Sequence, residues 1–460
     1  MKRTVTQAAA DFLQAFESAE VPGAAADLIK LATLDCVGCM VVGSASRAAT
    51  ILSDWLSEMG GRPEAVVVAR GFRAPAVMAA LVNGTAGHAL DFDDMSPTMN
   101  HPSVVLLPAL LALSEKIGAS GRDFIAAYLA GFEVFARLCR AMNPPHYYRG
   151  WHATSTIGTL GAAAAASKLL RLDGAQTRMA LGIAASNAAG IRQNFGSMVK
   201  PLHAGQAASN GAYAALLAQR GYSADLSALD GPQGFISVFG GTPEVSVEPA
   251  VFDDGPLEIL TSGIGFKRFA CCGAIHTGID AMLELVEHYQ VDPKQVRGIE
   301  YAVNRRAPEI LIHSRPQTPL ESKFSMEYSL AIALVDRWAG LPQYTEERQE
   351  DPLVRDLMSR VRVSVDATFP HEYATFPAAV TVHMTDGRKL SSRVDVPRGY
   401  PTNPLTPEEL HRKFRECCAN LLGPSVVEEA IRMIESLAEV PDLRQLTSLV
   451  LGTASERVVA

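Results

Sequence analysis

Carboxylates and histidines are concentrated in one short stretch of the chain, residues 87–102, which reads GHALDFDDMSPTMNHP. Apolar, alanine-rich sequence flanks this stretch on both sides. Charged side chains are costly to bury unless they are paired or used, so such a cluster is either a capped helix end or a site. We interpret it as the floor of an active site. Its ionisable residues are His88, Asp91, Asp93, Asp94 and His101.

The residues alone leave three interpretations of this acidic stretch open. A D-x-D-D pattern with a distant histidine offers ligands to a divalent ion. Grouped carboxylates also shift one another's pKa values, and His101 would then donate or accept a proton in acid–base catalysis. Helix capping combined with surface charge accounts for the same residues without any site.

A second histidine, His152, precedes the sequence ATSTIGTLG, where a helix is predicted to start. The first turn of a helix has free N–H groups and is a good place for an anion. The pattern therefore favours a role for His152 beside a bound anion, although a histidine at a helix start is also an ordinary capping residue.

The sequence Lys200-Pro-Leu-His203-Ala-Gly is more specific. Its lysine and histidine are three residues apart, a proline rigidifies the segment, and a helix of small residues is predicted to follow. We expect Lys200 and His203 to bind a substrate carboxylate through charge-assisted contacts. The ordinary alternative is a solvated loop lysine.

The stretch KRFACCGAIH, residues 267–276, lies where the character of the chain changes. An adjacent cation lowers the pKa of a thiol, so a cysteine nucleophile is one interpretation of this stretch. We favour packing for Cys271 and Cys272, and a functional role for Lys267 and His276.

The chain contains seven cysteines, an odd number, with two pairs adjacent in sequence. This pattern is not typical of a secreted disulfide framework. Cys36 and Cys39 form an isolated CxxC inside an apolar helical run, and we expect them to be buried by helix packing.

Periodicity assigns these residues to two kinds of structure. Residues 1–262 are predicted to be helical almost throughout, and the helical character returns at 402–460. Residues 263–401 form a predicted α+β unit inserted between them, with alternating strands and a hairpin turn at Asp386-Gly387. The predicted helices are 5–19, 24–42, 46–59, 74–90, 103–117, 122–142, 154–170, 206–221, 276–289, 324–338, 408–422 and 426–437. The predicted strands are 299–303, 361–365, 379–385 and 389–396.

Composition bounds the class of protein. The chain has 460 residues and a net charge of −8, without a long basic run. Phosphate binding needs clustered lysines and arginines, so we expect no nucleic-acid partner. The sequence contains no run of eighteen apolar residues, so we expect no membrane span. The start of the chain lacks the apolar core of a signal peptide. The expected location is therefore the cytoplasm.

Five stretches, in this order, resemble the MmgE/PrpD family. They read HALDFDDMSPTMNHPS, GWHATSTIGTLGAAAAASKLL, SNAAGIRQNFGSMVKPLHAGQAASNG, CCGAIHTGIDA and ESKFSMEYSLAIAL. The resemblance implies a large, mostly helical domain built from both chain ends and a smaller, inserted α+β lid domain. It also implies an active site in the cleft between the domains, a homodimer, and no metal or organic cofactor.

The family's activities include 2-methylcitrate dehydration, cis-aconitate decarboxylation and iminodisuccinate epimerisation. Met95 stands where members similar to cis-aconitate decarboxylase have threonine, and SPTMNHPS looks more like the epimerase branch, whereas Tyr328 looks more like the decarboxylase branch. The pocket residues implied by the resemblance are Asp91, His101, His152, Lys200, His276 and Tyr328.

From the residues and the resemblance together we expect a cofactor-independent lyase or isomerase that transfers a proton at the α-carbon of a small di- or tricarboxylic acid. His101 or His152 would transfer the proton, Asp91 would orient the imidazole, and Lys200, His203 and Lys267 would hold carboxylates. Dehydration or decarboxylation of a citrate- or aconitate-like acid is the expected reaction. The alternatives are epimerisation of an iminodisuccinate-like acid and a non-catalytic dimeric relative that binds a carboxylate.

Overall fold

The computed structural model describes residues 3–16, 21–98, 100–242, 245–253, 255–370 and 376–452. The described chain is mostly helical, as the periodicity predicts, with two small sheets. By compactness it divides into two units. The first comprises Met1–Ala89, Asp93–Ile264 and Thr406–Ala460, and the second comprises Leu90–Phe92 and Gly265–Leu405. The lid role expected for residues 263–401 stays a prediction.

In the described residues up to Ile264, the secondary structure elements are helices and one short antiparallel hairpin, β1 (Ala65–Val67) with β2 (Phe72–Ala74). Its helices are α1 (Val5–Ala15), α2 (Gly23–Gly43), α3 (Arg47–Met59), α4 (Ala76–His88), α5 (Ser103–Ile117), α6 (Gly121–Met142), α7 (Pro145–Tyr148), α8 (Ala153–Leu169), α9 (Gly174–Asn187), α10 (Val199–Gln219), α11 (Phe235–Phe239) and α12 (Glu258–Thr261).

Residues 265–405 contain a four-stranded sheet and short helices. In chain order the elements are α13 (His276–Tyr289), β3 (Val296–Val303), α14 (Ala307–Ile310), α15 (Pro319–Ser322), α16 (Met326–Asp336), α17 (Glu346–Glu350), α18 (Pro352–Ser359), β4 (Val361–Val365), β5 (Ala378–Met384) and β6 (Lys389–Val394). The chain then returns to the first unit with α19 (Pro407–Cys418), α20 (Pro424–Glu435) and α21 (Arg444–Leu449).

Small residues allow α4, α8 and α10 to pack closely in the core of the first unit. A Cβ at Gly205 of α10 would lie 2.2 Å from the carbonyl oxygen of Leu81 in α4. A Cβ at Gly211 of α10 would lie 2.3 Å from the Cβ of Ala162 in α8. Real Cβ atoms do not approach so closely, so glycine is required at both positions. These contacts fix α10 against α4, which ends at His88, and against α8, which follows His152.

The sheet of the second unit has the strand order β4-β3-β5-β6. β3 pairs with β4 in parallel and with β5 antiparallel, and β5 and β6 form an antiparallel hairpin. Every second residue of β5 is buried, so one face of the strand packs against the interior. Gly387 adopts a φ of 92°, which the predicted Asp-Gly turn requires.

The start of α10 differs from the prediction. The helix begins at Val199 rather than at residue 206, so Lys200 and His203 lie in its first turns and not in a preceding loop. Pro201 interrupts no hydrogen bond there, because N–H groups in a first turn have no partner inside the helix. Ser46 caps the start of α3, since its side chain accepts a hydrogen bond from the N–H of Ala49.

In the described ranges no single helix is long and apolar enough to cross a bilayer. The pair α2 and α3 meets the length and composition criteria only when taken together, with a bend of 78° between the two helices.

Candidate active site

The ends of three core helices bring four of the predicted site residues together in the first unit. His152 is the residue before α8, Lys200 and His203 lie in the first turns of α10, and His101 precedes α5. His88, the last residue of α4, completes the cluster. Its ring centroid lies 4.6 Å from that of His101 and 6.0 Å from that of His152. We call these four histidines and Lys200 the imidazole cluster.

One buried carboxylate, that of Asp93, connects two rings of the imidazole cluster. Nδ1 of His88 lies 2.9 Å from one oxygen and 3.0 Å from the other, and Nδ1 of His101 lies 2.9 Å from Oδ2. Burial acts to raise the pKa of Asp93, but the two imidazoles outweigh it and hold the pKa well below its usual range. Asp93 is therefore an ionised hydrogen-bond acceptor for both rings.

The backbone of the acidic stretch is anchored by the neighbouring carboxyl group. Asp94 accepts hydrogen bonds from the N–H and the hydroxyl of Ser103, and that hydroxyl lies 2.7 Å from the hydroxyl of Tyr128. Burial and nearby carboxylates raise the pKa of Asp94 well above its usual range. Its carbonyl oxygen lies 2.9 Å from Nδ1 of His101, which ties that ring to the anchored backbone.

The other two imidazoles, His152 and His203, face each other through their Nδ1 atoms at 3.2 Å. Burial, followed by the positive charge of Lys200, lowers the pKa of His152 well below its usual value. The same two causes lower the pKa of His203 to about 4. Burial is also the main cause that lowers the pKa of His88 to about 3. These three rings are therefore neutral at pH 7 beside a buried ammonium group.

The second unit contains a buried ion pair between Lys267 and Asp91. The Lys267 ammonium donates to the carbonyl oxygen of Asp91 at 2.9 Å and to its carboxylate at 2.7 Å. Asp91 adopts a φ of 51°, a left-handed conformation that is uncommon for aspartate and is frequent at functional sites. The sequence predicts that Lys267 holds a substrate carboxylate, and in this structure the ammonium is engaged with the carboxylate of Asp91.

Two further predicted residues, His276 and Tyr328, are buried in the second unit. His276 is the first residue of α13, and its Nε2 lies 3.3 Å from the carbonyl oxygen of Cys271. The Tyr328 hydroxyl donates to the carbonyl oxygen of Gln343 at 2.6 Å, and burial raises its pKa. Their catalytic roles, like that of Asp91, stay predictions.

Cys36, Cys39 and Cys271 are buried as predicted, whereas Cys272 is partly exposed. Cys36 and Cys39 are buried inside α2, and burial raises the pKa of the Cys36 thiol well above its usual value. Cys271 is also buried, with a pKa raised by burial to about 12. A thiol with so high a pKa is a poor nucleophile near neutral pH.

Sequence reasoning gave no role to His88 or Asp93 and assigned the orienting carboxylate to Asp91. In the structure the carboxylate at Nδ1 of His101 is that of Asp93. The sequence did contain a signal for the contact between His88 and Asp93. His88 was predicted near a helix end, and a short loop after a helix can bring a carboxylate five residues later back to the histidine ring. Nothing in the spacing distinguishes Asp93 from its two acidic neighbours.

His88, Asp93 and His101 are also residue types that bind divalent ions. Their facing nitrogen and oxygen atoms are 2.9–3.0 Å apart, and direct hydrogen bonds already satisfy them at that distance. That the protein needs no metal stays a prediction.

Comparison with known proteins identifies the family. Residues 7–248 match the MmgE/PrpD N-terminal domain, and residues 269–439 match the MmgE/PrpD C-terminal domain. Cis-aconitate decarboxylase from Mus musculus is 32% identical over 411 aligned positions, which cover 87% of this chain and 82% of the relative. Cis-aconitate decarboxylase from Homo sapiens is 29% identical over 477 aligned positions, which cover 100% of this chain and 97% of the relative. That of Aspergillus terreus is 29% identical over 407 positions, covering 83% of each chain. This chain therefore belongs to the MmgE/PrpD family and is an enzyme of the lyase class.

Proposed function

We propose that the protein is a cofactor-independent decarboxylase of a cis-aconitate-like tricarboxylic acid. The observation that carries the proposal is the imidazole cluster, in which the neutral, buried rings of His88, His152 and His203 lie within the electrostatic reach of the Lys200 ammonium. A cluster of this kind attracts a polyanion and offers groups that can transfer protons near neutral pH. The similarity to cis-aconitate decarboxylases over most of the chain supports the same substrate class.

Substrate binding starts with the charge of Lys200. The side chain is buried, so its attraction for a carboxylate is weakly screened by water and salt. A bound polyanion also stabilises the protonated form of nearby imidazoles, because its charge opposes the effect of the lysine. We therefore expect substrate binding to raise the pKa values of His152 and His203 and to take up protons from solvent.

His101 is the proposed proton donor. Its Nδ1 faces Asp93 and the Asp94 carbonyl, so Nε2 is the nitrogen that can reach a substrate, and the side chain is 15% exposed. In the reaction the bond between the α-carbon and one carboxylate breaks and carbon dioxide leaves. The electron pair stays on the carbon skeleton, where the adjacent unsaturated group delocalises it. Nε2 of His101, which has first taken up a proton from solvent, then delivers that proton to carbon.

We also propose, from the sequence, a role for the second unit, the absence of a cofactor and a cellular location. Residues 263–401 act as a lid whose closure excludes water, and Lys267 and His276 contribute to the closed site. No metal or organic cofactor is required, and the protein works in the cytoplasm.

A substrate panel tests the function. Purified protein is incubated separately with cis-aconitate, 2-methylcitrate and iminodisuccinate, and products are followed by proton NMR. We expect loss of carbon dioxide from cis-aconitate only. Water loss from 2-methylcitrate would instead make the protein a dehydratase, and inversion of iminodisuccinate would make it an epimerase, as the SPTMNHPS segment suggests. The absence of turnover with all three acids would contradict the proposal.

We also propose a homodimer formed through the helical unit. Ile51, Trp55 and Met59 lie four residues apart on α3, so they share one face, and they are 50%, 47% and 56% exposed. An exposed apolar face of this kind favours contact with another protein surface. Light scattering at micromolar concentration should give twice the chain mass, and Trp55→Glu should shift it toward the monomer. A monomeric wild-type protein would contradict the proposal.

A further inference from the structure

The carboxylate of Asp93 is fully buried and lies within hydrogen-bond distance of two imidazole rings. Among the described residues, the rings of His88 and His101 are its hydrogen-bond partners. Each ring approaches the carboxylate with the same atom, Nδ1. A buried carboxylate that is shared between two rings in this way constrains which nitrogen of each ring carries the proton.

The neighbours of each Nδ1 identify that nitrogen. Nδ1 of His101 faces two acceptors, the Asp93 carboxylate and the Asp94 carbonyl, both at 2.9 Å. Nδ1 of His88 faces both oxygens of Asp93. An ionised carboxylate and a carbonyl have no proton to donate, so each Nδ1 must carry the hydrogen.

On each ring the unprotonated nitrogen is then Nε2, and its lone pair can accept a hydrogen bond. Nε2 of His88 is buried and has no hydrogen-bond partner among the described residues. A buried polar atom without a partner is costly, and such exceptions often mark a functional site. His88 also lies within the electrostatic reach of Lys200, and its ring is stacked at 6.0 Å from that of His152. It therefore belongs to the imidazole cluster and is not an isolated core residue.

We propose that Asp93 is a positioning residue that holds both His88 and His101 as Nδ1–H tautomers, so that the lone pair of each ring is on Nε2. The two rings then differ in burial. His101 is partly exposed and exchanges protons with substrate, whereas His88 is fully enclosed and stays neutral. When His101 takes a proton on Nε2, the charge of Asp93 stabilises the resulting imidazolium.

Nitrogen NMR of the free protein tests the tautomers directly. Histidine side chains are labelled with ¹⁵N, and His88→Gln and His101→Gln assign the two sets of signals. In the wild type we expect Nδ1 of both rings to be protonated. In Asp93→Asn a single carbonyl oxygen replaces two carboxylate oxygens, so at least one ring should change to the Nε2–H form. Asp94→Asn is the matched control, because it keeps the backbone carbonyl and should leave both tautomers unchanged.

Kinetics supply the second readout, and this part rests on the proposed function. Asp93→Asn should lower kcat by about 10²- to 10⁴-fold with little change in KM, because the tautomer is wrong while substrate contacts remain. The inference would be overturned by an unprotonated Nδ1 on either wild-type ring. It would also be overturned by unchanged tautomers or a near-normal kcat in Asp93→Asn. If the variant fails to fold, the wild-type spectrum still decides. The spectra need no substrate, so failure of the substrate panel and failure of this inference are distinguishable.

Discussion

Nδ1 of His152 lies 3.2 Å from Nδ1 of His203, and both rings are buried beside Lys200. Two neutral imidazoles at this distance share one proton, so one ring donates through Nδ1 and the other accepts. Protonating the acceptor would leave two N–H groups facing each other near an ammonium group. The pair therefore resists protonation, in agreement with the lowered pKa of each ring.

This resistance predicts how folding stability depends on pH. The pKa of His203 is about 4 in the folded protein and 6.5 in the unfolded chain, so the unfolded state binds more protons between these values. The contribution of the neutral His203 to folding stability is therefore fully present above pH 6.5 and is lost as the pH falls toward 4. His203→Gln should reduce this dependence by about one proton, as measured by urea unfolding at several pH values. His288→Gln, at an exposed position, should leave the dependence unchanged, and an equal effect in both variants would argue against the explanation.

Removal of the Lys200 charge should change both substrate binding and imidazole pKa values. Lys200→Met should raise KM for a tricarboxylic acid by about 10- to 100-fold, because a desolvated charge partner is lost. It should also raise the pKa values of His88, His152 and His203, since the lysine is one cause that lowers each of them. NMR titration measures the second effect without substrate.

Lys30→Met is the control for this experiment, because Lys30 lies on α2 and pairs with Asp27 at 3.0 Å. It should change neither quantity. Imidazole pKa values that stay constant in Lys200→Met would show that burial alone sets them.

The contact between α4 and α10 predicts the effect of a single added methyl group. In Gly205→Ala the new Cβ would lie 2.2 Å from the Leu81 carbonyl oxygen and 2.4 Å from Oγ1 of Thr85. The helices must separate to accommodate it, so the free energy of unfolding should fall by about 1–3 kcal/mol. Activity should fall as well, because α10 carries Lys200 and His203.

Gly23→Ala provides the comparison, since a Cβ there meets nothing within 4 Å. Alanine also has the higher helix propensity, so this variant should be neutral or more stable by up to about 1 kcal/mol. Equal stability of the two variants by thermal unfolding would contradict the packing argument.

The sequence predicted elements well where local signals agree with packing. The bounds of α5, α13 and β4 match the prediction, because clear periodicity and turn residues define each of them. The β1–β2 hairpin was missed, since strands of three residues are too short to show alternation. The helix α9 was missed as well, although Asp173 and Gln176 form a capping box at its start.

The candidate site was predictable in its residue types but not in its pairings. The spacing of histidines, aspartates and Lys200 indicated proton transfer near a carboxylate substrate. Which aspartate contacts which ring depends on the backbone between them, and the left-handed conformation of Asp91 has no signature in the sequence. The partners of His88 and of His152 depend on how the ends of α4, α8 and α10 meet, which no local pattern contains.

The most direct test of the central claim follows solvent hydrogen into the product. Protein and cis-aconitate are mixed in heavy water, and the product is examined by proton NMR and mass spectrometry, with His101→Ala and His411→Ala in parallel. We predict a product one carbon shorter that carries one deuterium on carbon, formed about 10²- to 10⁴-fold more slowly by His101→Ala and normally by His411→Ala. A product without carbon-bound deuterium, or a folded His101→Ala variant with a near-normal rate, would contradict proton delivery by His101.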